Sequence, residues 1–226
     1  MPGAGRVMTG DFLVLDFETR SEVILSDTSV SVYARHPTTD VWCAAWTYED
    51  AAPQLWLPGD AIPEVFYTAS TIVSHNVNFE FNVWMHLMVP RYGWPPVPPF
   101  EHWICTMACA QSLALPAALG KVAAELKLTH QKGDDALTKR MARPRRARVG
   151  EDPNKLYWDD DNQHFLQLCD YCRVDVLCER ELYLQLLLHW ELKNSTTGCS
   201  PKSKTSAVSA SIASYAANAS PSPPHV

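Results

Sequence analysis

Phe12-Leu13-Val14-Leu15-Asp16-Phe17-Glu18-Thr19 decides how the chain is read. Four consecutive apolar residues ahead of an acidic pair predict a short buried strand that ends at a polar edge. Alternate residues of a strand share a face, so the carboxylates of Asp16 and Glu18 project together. Two such groups cannot sit close and ionised without a counter-charge. A hard divalent cation, which prefers carboxylate oxygens, supplies one. Surface carboxylates are common, so it is the position of the pair at the end of an apolar run that gives it weight.

Outward from this strand, residues 41–48 and 54–57 read as two further strands punctuated by Pro53 and Pro58-Gly59. Residues 60–69 predict a short helix, 71–73 a fourth strand, and 79–88 an aromatic-rich helix. Residues 94–99 are Pro-rich and predict a loop, because proline removes backbone donors. A fifth strand is expected at 103–106, then helices near 107–114, 117–126 and 134–141. The longest helix is expected over 160–192, where Phe165, Leu168, Cys169, Cys172, Val176, Leu182 and Leu186 recur at helical spacing.

Two more segments carry chemistry. In Ser74-His75-Asn76-Val77-Asn78-Phe79-Glu80 an apolar strand gives way to a helix, with Asn76 and Glu80 one turn apart. Asn76 alone reads equally well as a helix N-cap. In Tyr171-Cys172-Arg173-Val174-Asp175 the i, i+4 spacing aligns a phenol and a carboxylate on one helix face, where the phenol can orient a water. Taken singly, Tyr171 is a packing residue and Asp175 a solvated charge.

In this order and separation the three segments resemble the exonuclease motifs of the DEDD superfamily, tyrosine subtype, as found in proofreading domains of family-A DNA polymerases. The resemblance spans most of residues 11–190 and is closest to phage and prophage versions. It is carried by Leu15-Asp16-Phe17-Glu18-Thr19-Arg20-Ser21, Tyr33-Ala34-Arg35-His36-Pro37, His75-Asn76-Val77-Asn78-Phe79-Glu80 and Tyr171-Cys172-Arg173-Val174-Asp175-Val176. It implies an α/β fold of RNase H-like type, a mixed five-stranded sheet flanked by helices. It also implies two Mg²⁺ ions, or Mn²⁺, and hydrolysis of the terminal phosphodiester at a DNA 3′ end. Asp16 would bridge both ions, Glu18 and Asp175 would complete the first site, Glu80 would support the second through water, and Tyr171 would position the attacking water. Phe17 and Thr19 would cradle the 3′ nucleotide, with His75, Asn76 and Phe79 lining the same cleft. Glu80 stands where many polymerases carry Asp, one methylene shorter.

Bulk properties agree with one catalytic unit. The chain has 226 residues, 46% of them hydrophobic, enough for a single core. A net charge of −6 excludes a broad basic footprint, so contact with single-stranded DNA or a frayed 3′ end must be local. Lys139-Arg140-Met141-Ala142-Arg143-Pro144-Arg145-Arg146-Ala147-Arg148 is the one dense basic segment. Arg143 and Arg145 are its candidate contacts with the sugar-phosphate backbone, and a solvated loop is the alternative. Seven cysteines without secreted spacing predict reduced, mostly buried thiols, and Cys169-Asp170-Tyr171-Cys172 lies mid-helix without a second pair to make a zinc site.

No apolar run is long enough to span a bilayer, and a soluble, cytoplasmic protein is expected. Residues 1–10 read as a leader, 11–193 as the exonuclease domain, and 194–226, rich in Ser, Thr, Ala and Pro, as a disordered tail. The abrupt change of composition predicts an exonuclease detached from, or truncated before, a polymerase domain. Two alternatives stand beside it: a 3′→5′ exoribonuclease, and an inactive remnant that only binds nucleic acid or a partner.

Overall fold

The computed structural model describes residues 11–133 and 135–195. Its centre is a five-stranded mixed sheet of order β3-β2-β1-β4-β5, built from β1 (Phe12–Arg20), β2 (Asp40–Tyr48), β3 (Gln54–Trp56), β4 (Thr71–Ser74) and β5 (Trp103–Cys105). Strand β2 runs antiparallel to both β1 and β3, while β4 lies parallel to β1 and β5 parallel to β4. This is the RNase H-like arrangement.

Strand β1 is longer than its apolar run suggests. It pairs with β2 from Leu13 to Arg20, whereas β4 accompanies it only from Phe12 to Val14. Asp16 and Glu18 therefore lie within the strand, not beyond its end, because β2 continues to satisfy the backbone there. Beyond Val14 the pairing of β1 with β4 ends, and α3 follows β4 directly. A register shift between Glu18 and Thr19 bends the ladder.

The two faces of β1 enter different cores. Leu13, Leu15 and Phe17 pack with Trp56, Phe66, Ile72, Trp84 and Trp103. Phe12 and Val14 pack with Cys43, Ala45 and Val73 against Cys169, Cys172, Val176 and Tyr183 of the long helix α8 (Asn162–Ser195). Asp16 and Glu18 share the parity of Phe12 and Val14, so they point towards α8. The oxygen of Asp161 accepts from the amides of Gln163 and His164 and so caps that helix.

The remaining helices are α1 (Val30–Arg35), α2 (Val65–Thr68), α3 (Val77–Val83), α4 (Val89–Tyr92), α5 (Thr106–Ser112), α6 (Leu119–Glu125) and α7 (Ala136–Met141). The helix expected over 60–69 shrinks to α2, because Pro63 disfavours helical geometry at the residue before it. The helix expected over 79–88 starts earlier and widens into a π turn over Trp84–Met88. Pro90, which has no N–H to return to the preceding turn, follows directly. Helix α1 has no counterpart in the hydropathy pattern; Ser29 caps it, and Tyr33 and Ala34 are its only buried residues.

The Pro-rich segment is a loop, but not a surface one. Trp94 is 2% exposed and its ring lies 4.3 to 5.5 Å from those of Phe17, Trp56, Phe66 and Trp84. Six described cysteines are free thiols, five of them buried. No helix among the described residues is long and apolar enough to cross a membrane. The expected leader (1–10) and nearly all of the expected tail lie outside the described residues, and α8 continues through Ser195.

Candidate active site

The four acidic residues singled out in sequence converge. Asp16 and Glu18 come from β1, Glu80 from the first turn of α3, and Asp175 from α8. The Cys172 thiol donates to Asp16 Oδ2 at 3.3 Å, and potential ligand atoms of Asp16, Glu18 and Cys172 lie within 4.8 Å of one another. Glu80 is 4% and Asp175 3% exposed, so neither is a solvated surface charge. Tyr171, one turn before Asp175, faces the same site.

Electrostatics couple these groups. Loss of hydration pushes Asp16 up to about 6, with the nearby charge of Asp175 adding to it and Lys132 opposing. Glu18 is raised well above the carboxylate range by burial and then by the charges of Asp16 and Asp175. Burial also raises Glu80, and Asp16 repels it further. Crowded carboxylates raise one another's proton affinity, and a bound dication relieves that repulsion. One oxygen each of Glu80 and Asp175 is buried without a hydrogen-bond partner. Unpaired oxygens on convergent carboxylates fit a hard divalent cation.

Two participants escaped the sequence reading. Lys132, from the loop between α6 and α7, forms an ion pair with Asp175 Oδ2, and its Nζ lies 4.7 Å from the centre of the Tyr171 ring. Nothing in the sequence around Lys132 marks it. Its partnership arises because Glu181 of α8 accepts from the amides of Thr129 and His130 at 2.7 and 3.0 Å and draws the loop against the helix. Glu179 is 3% exposed, with one oxygen unpartnered, and its proton affinity is raised by burial and then by Asp16, Glu80 and Asp175. A signal for it was present. Glu179 falls on the apolar stripe of α8, four residues after Asp175, where a carboxylate is out of place.

A cleft of about 280 Å³ opens beside Glu18, lined by Phe17, Thr19, Tyr33, Phe79 and Arg143. The Thr19 and Tyr33 hydroxyls are 2.8 Å apart, and the Tyr33 and Phe79 rings lie 6.1 Å apart. Three sequence expectations change here. The ring nitrogens of His75 are taken up by Thr106 Oγ1 at 3.0 Å and the Ala117 carbonyl at 2.7 Å. Burial lowers its pKa to about 4, so this neutral ring ties the end of β4 to its surroundings and is not free to grip a nucleotide. Arg145 is held by Glu151 at 2.6 and 2.8 Å and by the Trp158 carbonyl, so its guanidinium braces the 145–158 loop. Asn76 occupies the N-cap position of α3, but its side chain makes no cap bond, so the capping role does not account for it.

No protein-family model and no curated sequence matches the chain. A solved structure of Brucella melitensis NrnC with bound Mg²⁺ is similar to it in fold, with a TM-score of 0.50 at 13% identity over 98% of this chain and 94% of that one. The likeness is one of fold.

Proposed function

We propose that the chain is a metal-dependent 3′→5′ exonuclease that removes nucleoside monophosphates from the 3′ end of single-stranded or frayed DNA. The observation that carries this reading is the convergence of Asp16, Glu18, Glu80 and Asp175, drawn from three separate elements, beside a cleft on the scale of one nucleotide. The Mg²⁺ in the NrnC structure, on a similar fold, agrees with the donor set found here.

Asp16, Glu18 and Asp175 would hold one ion, and Asp16 with Glu80 would serve a second. When bound, such a pair supplies positive charge at both the attacking and the leaving oxygen. The protein's own part is positional. Phe79 presents ring surface to the terminal base, a contact every base can make, whereas the Phe17 ring is 3% exposed and belongs to the aromatic core, contrary to the expectation that it cradles the nucleotide. Tyr171 holds the attacking water in line with the scissile bond. The water oxygen bonds to phosphorus as the bond to the 3′ oxygen of the penultimate nucleotide breaks, releasing a nucleoside 5′-monophosphate. A polymerase, as separate subunit or adjoining domain, would present the frayed end in a proofreading setting.

Hydrolysis of 3′- and 5′-labelled DNA oligonucleotides in Mg²⁺, Mn²⁺ or EDTA, beside Asp16→Ala, tests the reading. Metal-dependent laddering from the 3′ end that disappears in the variant is expected. Absence of cleavage by the wild type, or cleavage indifferent to the substitution, overturns it. A matched RNA oligonucleotide in the same assay decides the sugar: faster cleavage of RNA replaces DNA as the substrate.

A further inference from the structure

The geometry points to Glu179 as a fifth carboxylate of the metal centre, serving the ion on the Glu80 side; this rests on the exonuclease reading. Three observations carry it. Glu179 lies one helical turn beyond Asp175 on the same face of α8, 3% exposed, with Oε2 lacking any hydrogen-bond partner. A carboxylate oxygen left unpaired so far from water is costly, and neighbouring acidic groups make it costlier. Asp16, Glu80 and Asp175, which bear on it from β1, α3 and α8, are the groups already assigned to the ions, and the Lys132 cation opposes them.

Charge balance agrees. With Glu179 included, five carboxylates face one ammonium, an excess of four negative charges. Two divalent cations cancel that excess, whereas four carboxylates would leave them one charge over. Glu80 gains most from a second donor, since its arm is one methylene longer than the Asp common at this place and it reaches the site from a different element. A neighbouring carboxylate from the rigid α8 fixes the ion where the flexible Glu80 arm alone would not.

The test is Mn²⁺ binding to the full chain without nucleic acid, followed by loss of the free-ion paramagnetic resonance signal, for wild type, Glu179→Gln, Glu179→Asp and Asp16→Asn. Wild type is expected to take up two ions. Glu179→Gln should keep the first at wild-type affinity and bind the second at least about tenfold more weakly, the scale of a lost supporting ligand. Glu179→Asp, which keeps the charge on a shorter arm, should recover part of that loss. Two ions bound by both variants with wild-type affinities overturn the role of Glu179 and leave the exonuclease reading intact. Failure of wild type to bind Mn²⁺ more tightly than Asp16→Asn overturns both.

Discussion

Replacing Lys132 by Met tests the logic of the acidic cluster most directly. The substitution retains most of the apolar stem and removes the ammonium, so Asp175, 3% exposed, loses its ion-pair partner while its Oδ1 already lacks a hydrogen bond. Breaking a buried ion pair on one side costs about 3–5 kcal/mol, and a hydrogen bond to a charged group contributes about 1.5–3 kcal/mol. The Lys132 side chain is 27% exposed and water screens part of the interaction, so the lower range applies. We predict a loss of about 2–3 kcal/mol at pH 8 in EDTA, or about 5–10 °C in Tm for a domain of this size. The sign with pH follows from the Asp175 carboxyl, whose pKa burial raises and Lys132 restrains. Without Lys132 the folded-state pKa rises further, the group takes up a proton more readily folded than unfolded, and the variant's deficit shrinks as pH falls from 8 to 5.5. Mg²⁺ should stabilise Lys132→Met more than wild type, because a dication replaces the missing charge. Thermal unfolding followed by circular dichroism measures all three. Equal Tm values in EDTA at pH 8, or a Mg²⁺ gain no larger in the variant, would refute the assignment of Lys132 as counter-ion.

Three further outcomes are expected. Glu181 is desolvated, which alone would raise its pKa, but hydrogen bonds from Thr129 and His130 outweigh this and hold it at about 2. Its contribution is therefore complete above the ordinary Glu value and lost as pH falls towards 2. Glu181→Gln should cost about 1–2 kcal/mol at pH 7 in urea unfolding, with the gap narrowing below pH 4.5; a gap constant with pH counts against this account. Arg143→Ala should weaken binding of a single-stranded oligonucleotide and reduce the slope of log affinity against log salt by about 0.7, one phosphate contact, in fluorescence anisotropy. Arg145→Ala should leave that slope unchanged, since its guanidinium is spent on Glu151; a flattened slope for Arg145→Ala would reverse the assignment.

The architecture was legible to the extent that it depends on local repeats. Strand periodicity placed Asp16 and Glu18 on one face, and helical periodicity placed Tyr171 beside Asp175. Both hold in the fold, because these relations are set by backbone geometry over a few residues. The mixed five-stranded sheet and the approach of Glu80 to Asp16 were reached through a resemblance between ordered motifs. Neither follows from hydropathy, which carries no information about which strands pair.

What depended on distant segments meeting was decided by tertiary structure alone. Arg143 and Arg145 are two residues apart in one basic run, yet one lines the cleft and the other is consumed by Glu151. Trp94 sits among prolines that mark a surface loop and lies at the centre of the aromatic core. Lys132 became the counter-ion of Asp175 because Glu181, on another element, draws its loop inward. Side-chain type and spacing specify what a residue is able to do, and only the closed chain sets which partner, which dielectric and which neighbouring charge it meets.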